Sequence, residues 1–72
     1  MKRMPRFTGV RYRESTTRRH EGKRDRCFYF TYRAGGRYRY ERVGWASEGY
    51  TGAAAAQLRA ERIREIRHGN IL

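Results

Sequence analysis

The feature that most constrains the fold is the segment RCFYFTYRAGGRYRYER, residues 26 to 42, in which side chains alternate on either side of two glycines. Alternation with a period of two is typical of β-strands, and a glycine pair supplies the positive φ angles of a tight hairpin turn. We therefore predict two antiparallel strands, RCFYFTYR and RYRYERV, joined at Gly35 and Gly36. The segment GVRYRE, residues 9 to 14, alternates in the same way and predicts a first strand.

A two-residue turn at Gly35 and Gly36 fixes the register of the last two predicted strands. The cross-strand pairs are then Arg33 with Tyr38, Thr31 with Tyr40, Tyr29 with Arg42, Phe28 with Val43, and Phe30 with Glu41. The inner, apolar face carries Val10, Tyr12, Phe28, Phe30 and Val43. Tyr32, Arg39 and Glu41 share its parity, and we expect the two charged residues near the sheet edge or beyond the helix. The opposite side, called the outer face below, carries Arg11, Arg13, Tyr29, Thr31, Arg33, Tyr38, Tyr40 and Arg42.

Two basic segments lack this pattern. Residues 1 to 8 contain Pro5 and no periodicity, and they are predicted to form a flexible basic arm of the kind that becomes ordered on DNA. Residues 15 to 25, STTRRHEGKRD, are predicted to form a long mobile hairpin loop. The charges of this loop are equally compatible with plain solvation and with phosphate contact.

The pattern changes to that of a helix after VGWASEGY, in which Trp45 is a candidate packing anchor. Thr51 is a suitable N-cap, the run from Gly52 to Arg67 is rich in helix formers, and Gly69 with Asn70 supplies a stop. A helical period puts Ala55, Ala56, Ile63 and Ile66 on one stripe, with Leu58 and Ala60 towards its edges. Arg59 falls on the same stripe, so we expect either a snorkelling side chain or a rotated helix.

Together these segments predict an α+β fold, a three-stranded antiparallel sheet packed on one C-terminal helix. One helix covers only one face of a sheet, so the outer face meets solvent or a ligand. Its arginines and tyrosines suit DNA. Arg donates two hydrogen bonds to guanine, at O6 and N7, and Tyr donates a hydrogen bond to a phosphate or packs on thymine methyl groups. The outer tyrosines also fit a plain role as cross-strand stabilisers of the sheet.

The charge of the chain points to the same class of partner. Eighteen Lys and Arg against seven Asp and Glu give a net charge of +11, which favours a polyanionic partner. Nucleic acid is favoured over a membrane surface, since most of the basic residues are Arg and are interleaved with Tyr. No apolar run is long enough to span a bilayer, so we expect no membrane partner.

Nothing in the sequence indicates catalysis or a cofactor. Cys27 is the only cysteine, and with His20 and His68 as the only histidines no zinc-ligand set is present. Glu14, Asp25, Glu41 and Glu48 form no visible acid/base pair, and AGGRYR is a hairpin turn rather than a phosphate-binding loop. We expect no enzyme activity, no cofactor, no metal and no small-molecule substrate.

The strings GVRYRE and KRDRCFYFTYRAGGRYRYERVGWASEGYT, followed by an alanine-rich helix, resemble the N-terminal, arm-type DNA-binding domain of phage-type tyrosine recombinases, the integrases. VGWASEGYT followed by AAAAQL is the most specific part of the match, which extends from about Gly9 to Gly69. The resemblance implies a fold similar to the plant ethylene-response DNA-binding domain, with three strands on one helix and the sheet in the major groove. The groove-facing set that it implies is the eight residues of the outer face. Similar domains tend to have a basic residue in place of Thr31 and a leucine in place of Arg59.

The expected function is therefore sequence-specific binding of double-stranded DNA, as the arm-site-binding module of an integrase in site-specific recombination and DNA integration. Residues 1–8 are the arm, 9–69 the DNA-binding domain, and 70–72 a tail or the start of a linker to missing domains. Strand exchange belongs to those domains, because His68 begins no His-x-x-Arg arrangement. We expect a fragment rather than a stand-alone module, located on DNA in the bacterial cytoplasm, with other integrase protomers as partners through the missing domains.

Two further functions remain open. A small basic RNA-binding protein would stack unpaired bases on the same tyrosines. A protein-interaction module would use the aromatic face to bind an acidic partner.

Overall fold

The computed structural model describes residues 1–67, which form one antiparallel sheet and one helix. The strands are β1 (Lys2–Arg3), β2 (Val10–His20), β3 (Lys23–Ala34) and β4 (Arg37–Trp45), in the order β1-β2-β3-β4. A 3₁₀ turn at Ala46–Glu48 leads to helix α1 (Gly52–Arg67). The α+β class and the single C-terminal helix are confirmed. The prediction of three strands is wrong, because the sheet has four.

The additional strand, β1, lies in the segment predicted to be a flexible arm. It pairs with β2, and just after it the Met4 amide donates to the Val10 carbonyl at 3.1 Å. Met4 and Phe7 are half-buried against the core. The sequence signal was missed because these two apolar residues stand apart in a basic segment with no periodicity to reveal them.

The predicted mobile loop at residues 15 to 25 is also wrong. Strand β2 continues to His20 and β3 starts at Lys23, so the turn is only Glu21 and Gly22, with φ angles of 52° and 76°. An irregularity between Glu14 and Arg19 interrupts the pairing. Within it the Ser15 hydroxyl accepts hydrogen bonds from the Thr17 and Arg18 amides. Local side-chain bonding of this kind hides an extended strand from pattern analysis.

The hairpin between β3 and β4 agrees with its predicted register over most of its length. Gly35 and Gly36 have φ angles of 60° and 76°, and the pairs Arg33–Tyr38, Thr31–Tyr40, Phe30–Glu41 and Tyr29–Arg42 are confirmed. Phe28 pairs with Gly44 rather than with Val43, because the register shifts between Phe28 and Tyr29. At Gly44 the ring of Tyr50 approaches so closely that it occupies the space of a side chain.

The core lies between the inner face and α1. Val10, Phe28, Phe30 and Ala55 are buried, Tyr12, Val43 and Ala56 pack against them, and Ile63 and Ile66 are half-buried. Leu58 and Ala60 are exposed. The Thr51 hydroxyl accepts a hydrogen bond from the Ala54 amide at 3.1 Å, as the predicted N-cap requires. The predicted stop at Gly69 and Asn70 lies outside the described residues.

Two charged residues that fitted the predicted core poorly have specific partners. Arg59 crosses beside Gly9, where any side chain at Gly9 would collide with it, and its Nε donates to the Thr31 carbonyl at 2.7 Å. Glu41 forms a two-point ion pair with Arg62, with distances of 2.8 Å from Nε to Oε2 and 3.0 Å from Nη2 to Oε1. Both contacts hold the helix onto the inner side of the sheet. No helix within residues 1–67 has the length and apolar character needed to cross a bilayer.

Candidate nucleic-acid interface

The outer face is assembled from three strands by their register. Directly paired residues in an antiparallel sheet point to the same side. Arg11 pairs with Tyr29 and Tyr29 with Arg42, while the neighbouring rows are Thr31 with Tyr40 and Arg33 with Tyr38. Arg13 pairs with Cys27 at the other end. The register therefore brings all eight predicted site residues to the side opposite α1.

The rings and guanidinium groups of this face touch one another without being buried. The rings of Tyr29 and Tyr40 meet edge to face, with centroids 6.5 Å apart and an interplanar angle of 73°. Arg33 lies over the Tyr38 ring at 5.0 Å, and Arg13 lies over Tyr29 at 6.0 Å. Tyr38 and Tyr40 are nevertheless 77% and 66% exposed. These contacts orient the side chains while leaving their outer edges free for a ligand.

Thr31 differs from its neighbours because its hydroxyl is already used. The Thr31 Oγ1 donates to the Gly9 carbonyl at 3.2 Å, and the Thr31 amide donates to the same carbonyl at 2.8 Å. Its side chain therefore ties β3 to the start of β2. The hydrogen-bonding capacity that remains to this hydroxyl is that of an acceptor.

The positive charge of the outer face is not neutralised by the protein. Within residues 1–67 the ion pairs are Lys2–Glu14, Arg18–Asp25, Arg62–Glu41 and Arg62–Glu65. None of them involves Arg11, Arg13, Arg33 or Arg42. The pKa of Tyr29 is raised by its interaction with the Cys27 side chain and by burial, against the opposing effect of the arginines, so this hydroxyl keeps its proton at neutral pH. The face is thus a set of hydrogen-bond donors in a positive field.

A buried polar cluster, which the sequence did not reveal, closes one end of this face. Alternation along β3 assigns Asp25 and Cys27 to the same side as Tyr29, yet each is only 1% exposed. Arg18 stacks on the Trp45 ring at 4.5 Å and its Nε donates to Asp25 at 3.2 Å. The Ser47 amide donates to Asp25 at 3.1 Å and the Ser47 hydroxyl also binds this carboxylate.

The charge state of Asp25 follows from these contacts. Burial by itself raises the pKa of Asp25, but hydrogen bonds from Ser47, Arg18 and the Arg26 amide outweigh it and lower this pKa below its usual value. The carboxylate is therefore ionised and already paired at neutral pH. It does not compete with a polyanion for the outer arginines. The only sequence signal for the cluster was one acidic residue in a basic run, and its partner Ser47 is 22 residues away.

Other basic residues extend the surface beyond the predicted set. Arg3 of β1 pairs with Arg11, which puts Arg3 on the outer side. At the end of the β2–β3 hairpin, His20 pairs with Lys23, which shares the parity of Tyr29, whereas Arg19 pairs with Arg24, which has the inner parity of Phe28. The sequence predicted neither position as a strand. Within residues 1–67, no group of three or more His, Cys, Asp or Glu residues is arranged to hold a metal ion.

Comparisons of the chain with protein-family models, with curated proteins and with solved structures find no match.

Proposed function

We propose that this chain binds double-stranded DNA in a sequence-specific manner by docking its outer face in the major groove. The observation that carries the proposal is the concentration of four arginines and three tyrosines on one sheet face, where no carboxylate pairs with those arginines within residues 1–67. Like charges gathered in this way repel, and a polyanion removes the repulsion.

The dimensions of the face suit the groove. Neighbouring strands are about 4.8 Å apart, so β2, β3 and β4 span roughly 10 Å. The major groove is about 12 Å wide and admits strands as well as helices. Because α1 covers the inner face, the sheet enters the major groove with the side chains of its outer face pointing towards the base edges.

The residues divide into two kinds of contact. Arg11 and Arg33 project from neighbouring strands and supply the donor pairs that recognise guanine O6 and N7. Tyr38 and Tyr40, with most of their surface free, supply contacts to phosphates, sugars and thymine methyl groups. The basic end of the β2–β3 hairpin reaches phosphates outside the groove, as does the start of α1 near Thr51.

The specific biological role that we propose is arm-site binding in a phage-type integrase. This rests on the resemblance of GVRYRE, of VGWASEGYT and of the alanine-rich helix to that family's N-terminal domain. Site-specific recombination and DNA integration would then be carried out together with domains outside this chain. The chain itself contributes recognition of DNA and no catalysis.

The experiment that tests the proposal compares two faces of the same sheet. A preferred duplex is selected from a random pool, and binding of the Arg11→Ala and Arg33→Ala variants is measured by fluorescence anisotropy. Each is expected to lose about 1 to 3 kcal/mol and to relax specificity at one base pair. Arg39→Ala is the matched control, because Arg39 is an exposed arginine of β4 with the opposite parity.

Three outcomes contradict the proposal in different ways. Equal losses of affinity for Arg33→Ala on the selected and random duplexes contradict a base-reading role for Arg33. Equal losses of affinity for Arg33→Ala and Arg39→Ala contradict the assignment of the interface to the outer face. Finally, single-stranded RNA that outcompetes the duplex favours the second candidate, RNA binding through bases stacked on the highly exposed Tyr38 and Tyr40.

A further inference from the structure

Strand β1 adds a fourth member to the outer face, at the edge of the sheet opposite to β4. Its pairing joins Arg3 to a row that crosses the whole sheet, from Arg3 to Arg11 to Tyr29 to Arg42. Both ends of the row are arginines. We infer that β1 is a DNA-contacting strand, in which Arg3 binds a phosphate on one wall of the major groove while Arg42 binds a phosphate on the other. The inference rests on the proposed function and assigns a role within it.

The width of the row supports this division of labour. Three intervals of about 4.8 Å separate Arg3 from Arg42, which gives roughly 14 Å between the two edge strands. The major groove is about 12 Å wide. Side chains at the two edges therefore meet the phosphate backbones that border the groove, whereas Arg11 and Tyr29 in the middle face the base edges.

The local charge balance of β1 is the second observation. Arg3 lies directly opposite Arg11, and like charges opposite one another destabilise a strand pair. No ion pair within residues 1–67 involves either of these arginines. A phosphate bound by Arg3 offsets this repulsion, because it places a negative charge beside the pair.

Contacts elsewhere hold the two arginines together in the absence of such a ligand. On the inner side Lys2 Nζ lies 2.7 Å from the Glu14 carboxylate. The Met4 amide bonds Val10, and the side chains of Met4 and Phe7 pack against the core. Contacts on both flanks of Arg3 thus stabilise β1 in a position where Arg3 lies opposite Arg11, although the two charges repel. Such an arrangement is typical of a preorganised anion site.

Arg6 offers a matched control in the same basic segment. It lies beyond β1, outside the strand pairing, and its guanidinium group is 5.7 Å from the centre of the Phe7 ring. Arg3→Gln and Arg6→Gln therefore remove the same charge from positions three residues apart, one on the proposed row and one off it.

The test measures affinity of the wild-type chain and both variants for the selected duplex and for a random duplex over a range of salt concentrations. Arg3→Gln is expected to reduce the slope of log affinity against log salt by about 0.9, and to weaken binding up to about eightfold at 0.1 M salt. The loss should be the same on both duplexes, because a phosphate contact carries no sequence information. Arg42→Gln should behave in the same way, and Arg6→Gln should leave the slope unchanged.

A second measurement, made on the wild-type chain, distinguishes a lost phosphate contact from misfolding of the variants. In the NMR spectrum of the wild-type chain, the Arg3 side-chain Nε–H signal should shift on addition of duplex while that of Arg6 does not. Unchanged Arg3 signals, or equal salt slopes for Arg3→Gln and Arg6→Gln while the wild type binds duplex, overturn the inference and leave the proposed function standing. Absence of saturable duplex binding by the wild type overturns both.

Discussion

The two sides of the β3–β4 hairpin have similar residues and opposite environments. Phe28 and Phe30, on the inner side, are 5% and 3% exposed, whereas Tyr38 and Tyr40, on the outer side, are 77% and 66% exposed. Rings of nearly equal size therefore stabilise the fold on one side and remain available on the other. The difference teaches that strand parity alone decides which rings of the hairpin are buried and which stay exposed.

The charges of the sheet follow the same division. On the inner side the carboxylates Glu14 and Glu41 are paired with Lys2 and Arg62. On the outer side Asp25 is enclosed by Arg18 and Ser47, and no ion pair within residues 1–67 involves the four arginines of the outer face, Arg11, Arg13, Arg33 and Arg42. The carboxylates of the inner face are thus paired within the chain, whereas the arginines of the outer face are not.

Truncation of an inner ring is the strongest way to test this separation. Phe30→Ala should lower the free energy of unfolding by about 3 to 5 kcal/mol, because it leaves a cavity beneath α1. Tyr38→Ala, on the outer side of the same hairpin, should change it by less than about 0.5 kcal/mol. Urea denaturation followed by circular dichroism measures both. Comparable losses for the two variants would mean that the outer tyrosines belong to the stabilising structure rather than to a binding surface.

Arg59 tests the connection between the two sides, since it reaches from α1 to the carbonyl of an outer-face residue. Arg59→Met keeps the apolar stem but removes the bond to Thr31, and should cost about 1.5 to 3 kcal/mol of unfolding free energy. Arg64→Met, an exposed position on the same helix, is the control and should have little effect. Duplex affinity of folded Arg59→Met should stay within about twofold of wild type, a change of less than about 0.5 kcal/mol in binding free energy. A large loss of affinity would show that the helix contact shapes the outer face.

The parts of the structure that the sequence predicted are those governed by local rules. The glycine pair at 35 and 36 and the alternation around it determine the register from Tyr29 to Arg42, and Thr51 determines the start of α1. The register shift beside Phe28 was missed, because an extra residue reverses the alternation only beyond it, and β4 ends after Gly44, which has no side chain to show the change, and Trp45.

The parts that were missed depend on contacts between distant segments. Strand β1 has only two residues, and its docking depends on Met4 and Phe7 reaching a core built from other elements. The enclosure of Asp25 requires Ser47, which a sequence pattern does not connect to it. Of the candidate surface, the eight outer residues were assigned to one face correctly, but Arg3 was not, because a short edge strand has no periodicity of its own.

The smallest effect that we expect concerns the closed end of the outer face and depends on pH. The folded-state pKa of Asp25 lies below its unfolded value of about 4, so its contribution to stability is complete above that value and is lost as the pH falls through the folded-state pKa. Arg18 is 48% exposed, so solvent screens the ion pair and limits the effect.

Asp25→Asn should therefore be less stable than wild type at pH 7, and the difference should shrink as urea titrations are repeated down to pH 2. Glu61→Gln, at an exposed carboxylate of α1, is the control and should leave the pH dependence close to that of the wild type. Because Asp25 is already enclosed by its own partners, its neutralisation adds no free arginine to the outer face, and duplex affinity at pH 7 should change little. A marked gain in affinity for Asp25→Asn would mean that this carboxylate repels the duplex, and that the outer face extends past Trp45 instead of ending there.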